Sequence, residues 1–295
     1  MCKTTVVNLN VKKDYDIYIG RGSKWGNPFI IGKHGGREEV IELYRQYVLG
    51  KEELRNSLCE LKGKVLGCHC KPNKCHGDIL AKLANGELPM YKKLSIGIDQ
   101  SYQRTGISIA ADNKLLVVRS INFPGCKNKI EKRLYIAELL SKILKTNRGK
   151  AEEMLIIVER IRTFSQGPKQ EQGFGLRPDY LKATGALIGT IVDTAYQYNV
   201  PVYSVDTRSW KSKVLGSSKT DAVKYKSFEK PEKAAAILFV QKQGFDVTIK
   251  NKDGSYKIHK KGKNAGKVYY DDDAADSACI ALYAFVNKQK LKLEE

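Results

Sequence analysis

Met154-Leu155-Ile156-Ile157-Val158-Glu159 is a continuous apolar run that stops on an acid. A run of this kind, without polar alternation, predicts a central strand buried on both faces of a sheet. Three strand-like runs precede it, at 94–99, 106–111 and 115–123, and the turn signals between them predict an antiparallel meander. A helix is expected at 128–145. After the central run come a helix at 179–198, a short strand at 201–205, and helices at 231–243 and 273–289. Three hairpin strands followed by alternating β and α elements make a mixed-sheet α/β plan.

A smaller α/β pattern lies upstream. Strands are expected at 4–9, 17–20 and 65–68, with helical periods at 38–47 and 76–84. Gly86-Glu87-Leu88-Pro89 stops the second of these helices, so the chain divides into residues 1–90 and 91–295.

The chain of 295 residues carries 52 Lys and Arg against 32 Asp and Glu, a net charge of +20. Its 42% hydrophobic content excludes a disordered or collagen-like chain. No run approaches about 18 apolar residues, so no membrane span is expected. Met1 to Thr5 lacks the apolar core of a signal peptide, which suggests the cytoplasm, that of a bacterial host if the chain is phage-encoded. The positive surplus asks for an acidic partner, nucleic acid first, with a merely soluble surface as the alternative. Residues 1–94 hold 17 basic and 10 acidic residues and the remainder 35 and 22, so the surplus is no detachable tail.

Acids end two of the expected buried strands, Asp99 in Ser95-Ile96-Gly97-Ile98-Asp99 and Glu159 in the central run. An unpaired buried charge is costly, so such placements ask for a reason. Asp273 and Asp276, spaced i and i+3, share one face at the start of the last helix. Helix capping accounts for one or two of the aspartates in Asp271-Asp272-Asp273-Ala274-Ala275-Asp276, but not for Asp99 or Glu159. Four converging carboxylates suit Mg²⁺, with Mn²⁺ as a substitute. Two such ions can activate a water and stabilise the leaving oxygen of a phosphodiester.

Gly97-Ile98-Asp99-Gln100-Ser101 with Thr105-Gly106, Ile156-Ile157-Val158-Glu159, and Asp273-Ala274-Ala275-Asp276-Ser277-Ala278 resemble the RuvC group of the ribonuclease H-like superfamily. These are Holliday-junction resolvases, here in a phage or mobile-element version, and the resemblance spans residues 95–286. It implies a five-stranded mixed sheet flanked by helices. It also implies a homodimer that nicks branched DNA in recombination and repair, with Asp99, Glu159, Asp273 and Asp276 as ligands of two metal ions. Lys211 and Lys233 match the family's catalytic lysines, and an aromatic wedge falls on Phe164. Further DNA contacts are expected from Arg104, Arg162, Arg208, Lys213 and Lys219, and from a basic hairpin inserted at 248–268. That insertion holds seven lysines against Asp253, and Lys257, Lys260 and Lys261 are its candidates. Flaps, forks and structured RNA remain alternative substrates, and a non-catalytic binding module is the other class.

Gly20 to Phe29, Gly63 to Cys70 and Cys75-His76-Gly77-Asp78 resemble a small uncharacterised domain family of phages and bacteria, over residues 1–88. Arg21, Lys24 and nearby amides can hold a phosphate. Arg21 and Trp25 can equally stack on a base, with Asn27 beside them. Cys68, Cys70, Cys75 and His76 have soft-ligand chemistry, but their spacing is poor for zinc. Cys75 and His76 are expected to diverge if both start a helix. The alternatives are a zinc site, or packed thiols with His76 capping the helix or binding a ligand.

Overall fold

The computed structural model describes residues 2–161, 178–217, 224–262, 264–286 and 292–293. The chain forms two compact units, residues 1–92 with 148–152, and residues 93–147 with 153–295.

In the N-terminal unit, β1 (Thr5–Asn8) and β2 (Ile17–Tyr18) precede α1 (Arg37–Gly50) and α2 (Glu52–Ser57). A 3₁₀ turn (Leu58–Leu61) leads into β3 (Val65–Cys68), and α3 (His76–Ala84) follows. The sheet order is β1-β3-β2, with both outer strands parallel to β3. The stretch 52–61, unread in the sequence, is helical, and it contributes Leu54, Leu58 and Leu61 to the core. Its period is too short to stand out from the turn residues around it.

The C-terminal unit opens with the expected meander, β4 (Tyr91–Asp99), β5 (Thr105–Ala111) and β6 (Lys114–Ile121), all antiparallel. Then come α4 (Lys129–Asn147), β7 (Ala151–Glu159), α5 (Pro178–Tyr196), β8 (Val202–Val205) and α6 (Thr207–Leu215). A 3₁₀ turn (Pro231–Lys233) leads into α7 (Ala234–Lys242), and α8 (Asp272–Val286) and β9 (Lys292–Leu293) close the described chain. The sheet order is β6-β5-β4-β7-β8-β9, five core strands plus a two-residue edge. The result is a mixed α/β sheet flanked by helices, as expected from the resemblance.

Alternation along β7 explains its unbroken apolar run. Leu155 and Ile157 join the core under α6, α7 and α8, while Ile156 and Val158 point to the other face and are equally buried. Helix α6 was not expected. Its buried Trp210 belongs to the same core, and the polar residues around it hide the period.

Small residues let α8 lie directly on the sheet. A Cβ on Gly97 would sit 2.2 Å from the Ser277 carbonyl oxygen, and one on Gly106 would sit 2.0 Å from that of Asp273. Ala274, Ala275, Ala278 and Ala281 on the same helix are all buried, and the Gly97 position also meets the Ala281 backbone. Inside this contact the Ser108 and Ser277 hydroxyls lie 2.7 Å apart, so the buried polar pair is satisfied.

The insertion is more elaborate than one hairpin. Thr248 bridges Tyr270, Lys250 bridges Tyr256 and Ile258 bridges Val268, so three short stretches pair with one another. Gly254 (φ 84°) and Gly262 (φ 78°) turn the chain twice, where the sequence showed one clear turn signal. No helix among the described residues is long and apolar enough to cross a membrane.

Candidate active site

Asp99 ends β4 and Glu159 ends β7, the adjacent central strand. Gln100 ties the two ends together: its side-chain amide donates to the Glu159 carbonyl at 2.5 Å and accepts from the Glu159 amide at 3.2 Å. The Glu159 carboxylate accepts a hydrogen bond from Thr207, in the first turn of α6. Sequence reasoning assigned roles to neither Gln100 nor Thr207. A polar residue just past an acid-tipped strand was the available signal for Gln100.

The aspartates of α8 divide their work. Asp271 is the helix cap, accepting from the Ala274 amide at 3.0 Å, and it also accepts from Ser120 at 2.5 Å. Buried Asp272 pairs with Arg104 at 3.2 Å and Lys230 at 2.8 Å. Asp273 accepts from Arg104 Nε at 2.5 Å. Asp276 is 1% exposed, and its Oδ2 is paired with Lys233. Asp276 Oδ1 has no hydrogen-bond partner among the described residues.

Asp99, Asp276 and Lys233 sense one another's charge. Burial, then the charge of Asp276, pushes the Asp99 carboxyl well above the usual range; Glu159 and Asp273 add to this and Lys233 opposes it. Burial likewise raises Asp276, to about 6, against the pull of Lys233 and Lys211. Burial disfavours the charge on Lys233, but Asp276, Asp99 and Asp272 outweigh it and hold its ammonium above the ordinary lysine range. Oxygen donors, the raised carboxyls of Asp99 and Asp276 and a buried Asp276 oxygen without a partner among the described residues fit the chemistry of a hard divalent cation.

Other expected residues are distributed unevenly. Lys211 lies near enough to act on Asp276, with its Nζ 3.4 Å from the Glu232 carbonyl oxygen. Arg208 and Lys213 are exposed on α6. Arg104 is occupied by Asp271, Asp272 and Asp273, so it anchors the acidic turn instead of standing free for a phosphate. On the insertion, Lys257, Lys260 and Lys261 are exposed, and Lys257 sits 5.1 Å over the Tyr269 ring. Arg162, Phe164 and Lys219 lie outside the described residues.

A surface that the sequence did not suggest adjoins Gln100. A cleft of about 560 Å³ is lined by Gln100, Tyr102, Lys127, Lys129, Lys132 and Tyr180, among others. Lys132 donates to the Tyr102 carbonyl at 2.7 Å, and Lys129 stands 5.7 Å over the Tyr102 ring. These residues sit in a loop after β4 and around the start of α4, with no sequence motif joining them.

In the N-terminal unit a cleft of about 310 Å³ is lined by Arg21, Asn27, Phe29, Arg37, Cys70 and His76, among others. Trp25 is 3% exposed, so its ring belongs to the core and offers no face to a base. Lys24 pairs with Glu60 at 2.9 Å. The expected divergence of Cys75 and His76 does not occur, because Cys75 is the cap of α3. Its extended backbone (φ −125°, ψ 142°) folds its sulfur back over the helix start, where it accepts from the Gly77 amide at 3.3 Å.

Residues 6–86 match the family of a domain of unknown function (DUF4326). An uncharacterized 12.4 kDa protein of Enterobacteria phage T4 is 44% identical over 85 residues, covering 27% of this chain and 76% of that protein. The uncharacterized protein R718 of Acanthamoeba polyphaga mimivirus is 36% identical over 92 residues, covering 25% and 70%. Among solved structures, Thermus thermophilus RuvC in complex with a Holliday junction substrate aligns with a TM-score of 0.44 at 16% identity, over 65% of this chain and 93% of that one. The yeast mitochondrial Holliday junction resolvase Ydc2 aligns with a TM-score of 0.37 at 19% identity, over 79% and 91%. By its N-terminal unit, the chain belongs to the DUF4326 family.

Proposed function

We propose that the C-terminal unit is a magnesium-dependent endonuclease that cuts branched DNA as a homodimer. The observation that carries this reading is Asp276: buried, one oxygen held by Lys233 and the other without a donor among the described residues, and within electrostatic reach of further acids. Asp99, Glu159, Asp273 and Asp276 would hold the ions, which would activate a water and offset charge on the leaving oxygen. Lys233 favours the ionised form of Asp276 against the effect of burial, and together with Lys211 it offsets negative charge as a phosphate enters. Gln100 and Thr207 fix the Glu159 strand end, so its carboxylate needs little reorganisation. The lysines of the Gln100 cleft and of the insertion would take the DNA backbone. Branched DNA is chosen from the resolvase-like motifs at Asp99, Glu159 and Asp273 to Asp276.

The test is cleavage of a four-way junction, a flap, a fork and an RNA/DNA hybrid with Mg²⁺, Mn²⁺ or Ca²⁺. Junction cleavage with Mg²⁺ or Mn²⁺ that is lost in Asp276→Asn is expected. Cleavage confined to flaps or hybrids would change the substrate, and metal-independent or absent turnover on every substrate would sink the enzyme reading.

A further inference from the structure

Four soft donors meet in the N-terminal unit. The ligand atoms of Cys68, Cys70, Cys75 and His76 all lie within 4.8 Å of one another, and the three cysteines are free thiols. Cys68 Sγ is 3.5 Å from Cys70 Sγ and 4.0 Å from His76 Nδ1, and Cys75 Sγ is 3.8 Å from that nitrogen. A tetrahedral zinc with Zn–S near 2.3 Å and Zn–N near 2.0–2.1 Å has edges of about 3.8 Å between sulfurs and about 3.5 Å between sulfur and nitrogen.

The histidine is already oriented for the task. Its Nε2 lies 2.8 Å from the Ile19 carbonyl oxygen, which can only accept, so Nε2 carries the proton and Nδ1 turns its lone pair toward the thiols. Metal-binding histidines are held in this way by a carbonyl or carboxylate on the far nitrogen. The Tyr44 ring meets the imidazole edge-on at 4.9 Å and fixes its plane. The four donors also span the parts of the unit that most need joining: the end of β3, the loop after it, the start of α3 and, through Ile19, the end of β2. With strands of only four, two and four residues, a unit this small gains from a staple.

We propose that Cys68, Cys70, Cys75 and His76 bind a structural zinc ion. Three thiolates and one imidazole close the coordination sphere, so the ion holds the fold and leaves no open position for catalysis. The neighbouring cleft, with Arg21, Asn27 and Arg37, is then walled by segments that the metal fixes.

The test uses the full-length chain. Metal analysis and native mass should find one zinc per chain without added metal. Cobalt substitution should give the thiolate-to-metal charge-transfer band and the intense visible bands of a tetrahedral site. Cys70→Ser, at the least buried sulfur, should lower zinc content to background, as should Cys75→Ser. A mercurial titration of the unmodified protein should consume the exposed Cys2 and Cys59 without metal loss and then release the zinc as the three ligand thiols react, which reads the ligand set even if the variants misfold. A chain that purifies without zinc and shows no thiolate band with cobalt would overturn the proposal. So would variants that keep their zinc, or zinc that stays bound after every thiol has reacted.

Discussion

The two polar clusters of this chain are assembled by opposite routes. Asp99, Glu159, Asp273 and Asp276 come from three distant elements and come within electrostatic reach of one another because α8 lies directly on glycine-bearing strands. The thiols and imidazole come from residues 68–76, a single stretch that folds back on itself through a helix cap. The acidic cluster is hard, with the carboxyls of Asp99 and Asp276 raised and a lysine counterion, while the sulfur cluster is soft and held by a fixed imidazole tautomer. A site built from distant segments leaves marks in the sequence, because each segment must carry a charge to a buried end. A local site depends on backbone angles at one or two residues.

The largest effects should come from the acids. Asp99→Asn or Asp276→Asn is expected to reduce junction cleavage on the order of 10³-fold or more, with binding retained and zinc content unchanged, measured by gel cleavage and metal analysis. Near-normal cutting by either variant would break the assignment of the hard site. Conversely, stripping zinc should lower the thermal unfolding of the N-terminal unit and leave Mg²⁺-dependent cleavage unchanged. A parallel loss of cleavage would show that the two sites are coupled.

Gly106→Ala comes next, since its Cβ would press on the backbone of Asp273. Overpacking of this kind costs about 1–3 kcal/mol, and the displaced helix should weaken cleavage as well, read by denaturant unfolding and activity. Acidity should then separate the clusters. The Asp276 carboxyl, near 6 in the fold against 3.8 ordinarily, keeps a proton that the unfolded chain has released in that window. Without magnesium, fold stability therefore declines as pH rises from about 4 to 6, and magnesium affinity falls as pH drops through about 6. Lys233→Met should move that midpoint upward by removing the cation that favours the carboxylate. Calorimetric Mg²⁺ titrations across pH check both signs.

The smallest effect is reserved for the surface. Replacing Lys127 and Lys129 together with alanine should weaken junction binding evenly across sequences and reduce the salt slope by roughly one for each phosphate no longer neutralised, with turnover at saturation unchanged. The same change at Lys260 and Lys261 should do less, because those residues do not line the Gln100 cleft as Lys127 and Lys129 do.

The meander, the buried strand β7 and the acid-tipped strand ends could be read directly, since apolar runs and charges at their ends are local features of the chain. Helix α6 could not, because Trp210 is its single buried residue and the period needs neighbours to show. Arg104 looked like a DNA contact only because its partners lie almost 170 residues further on, at Asp272 and Asp273. Trp25 looked like a stacking residue because a glycine-rich context resembles an open loop, whereas Tyr44 donates to the Trp25 carbonyl at 2.6 Å and the ring is enclosed.

By itself, the amino-acid order determined which strands are buried, where the acids sit along the chain and how the charge is divided between its parts. These follow from burial energetics that act residue by residue. Tertiary structure alone decided which aspartate caps, which one pairs and which one keeps an unshared oxygen. It also decided that Cys75 turns toward His76 instead of away. Such outcomes depend on close approach and on backbone angles at a few positions, and on counterions contributed by segments that only the fold brings near.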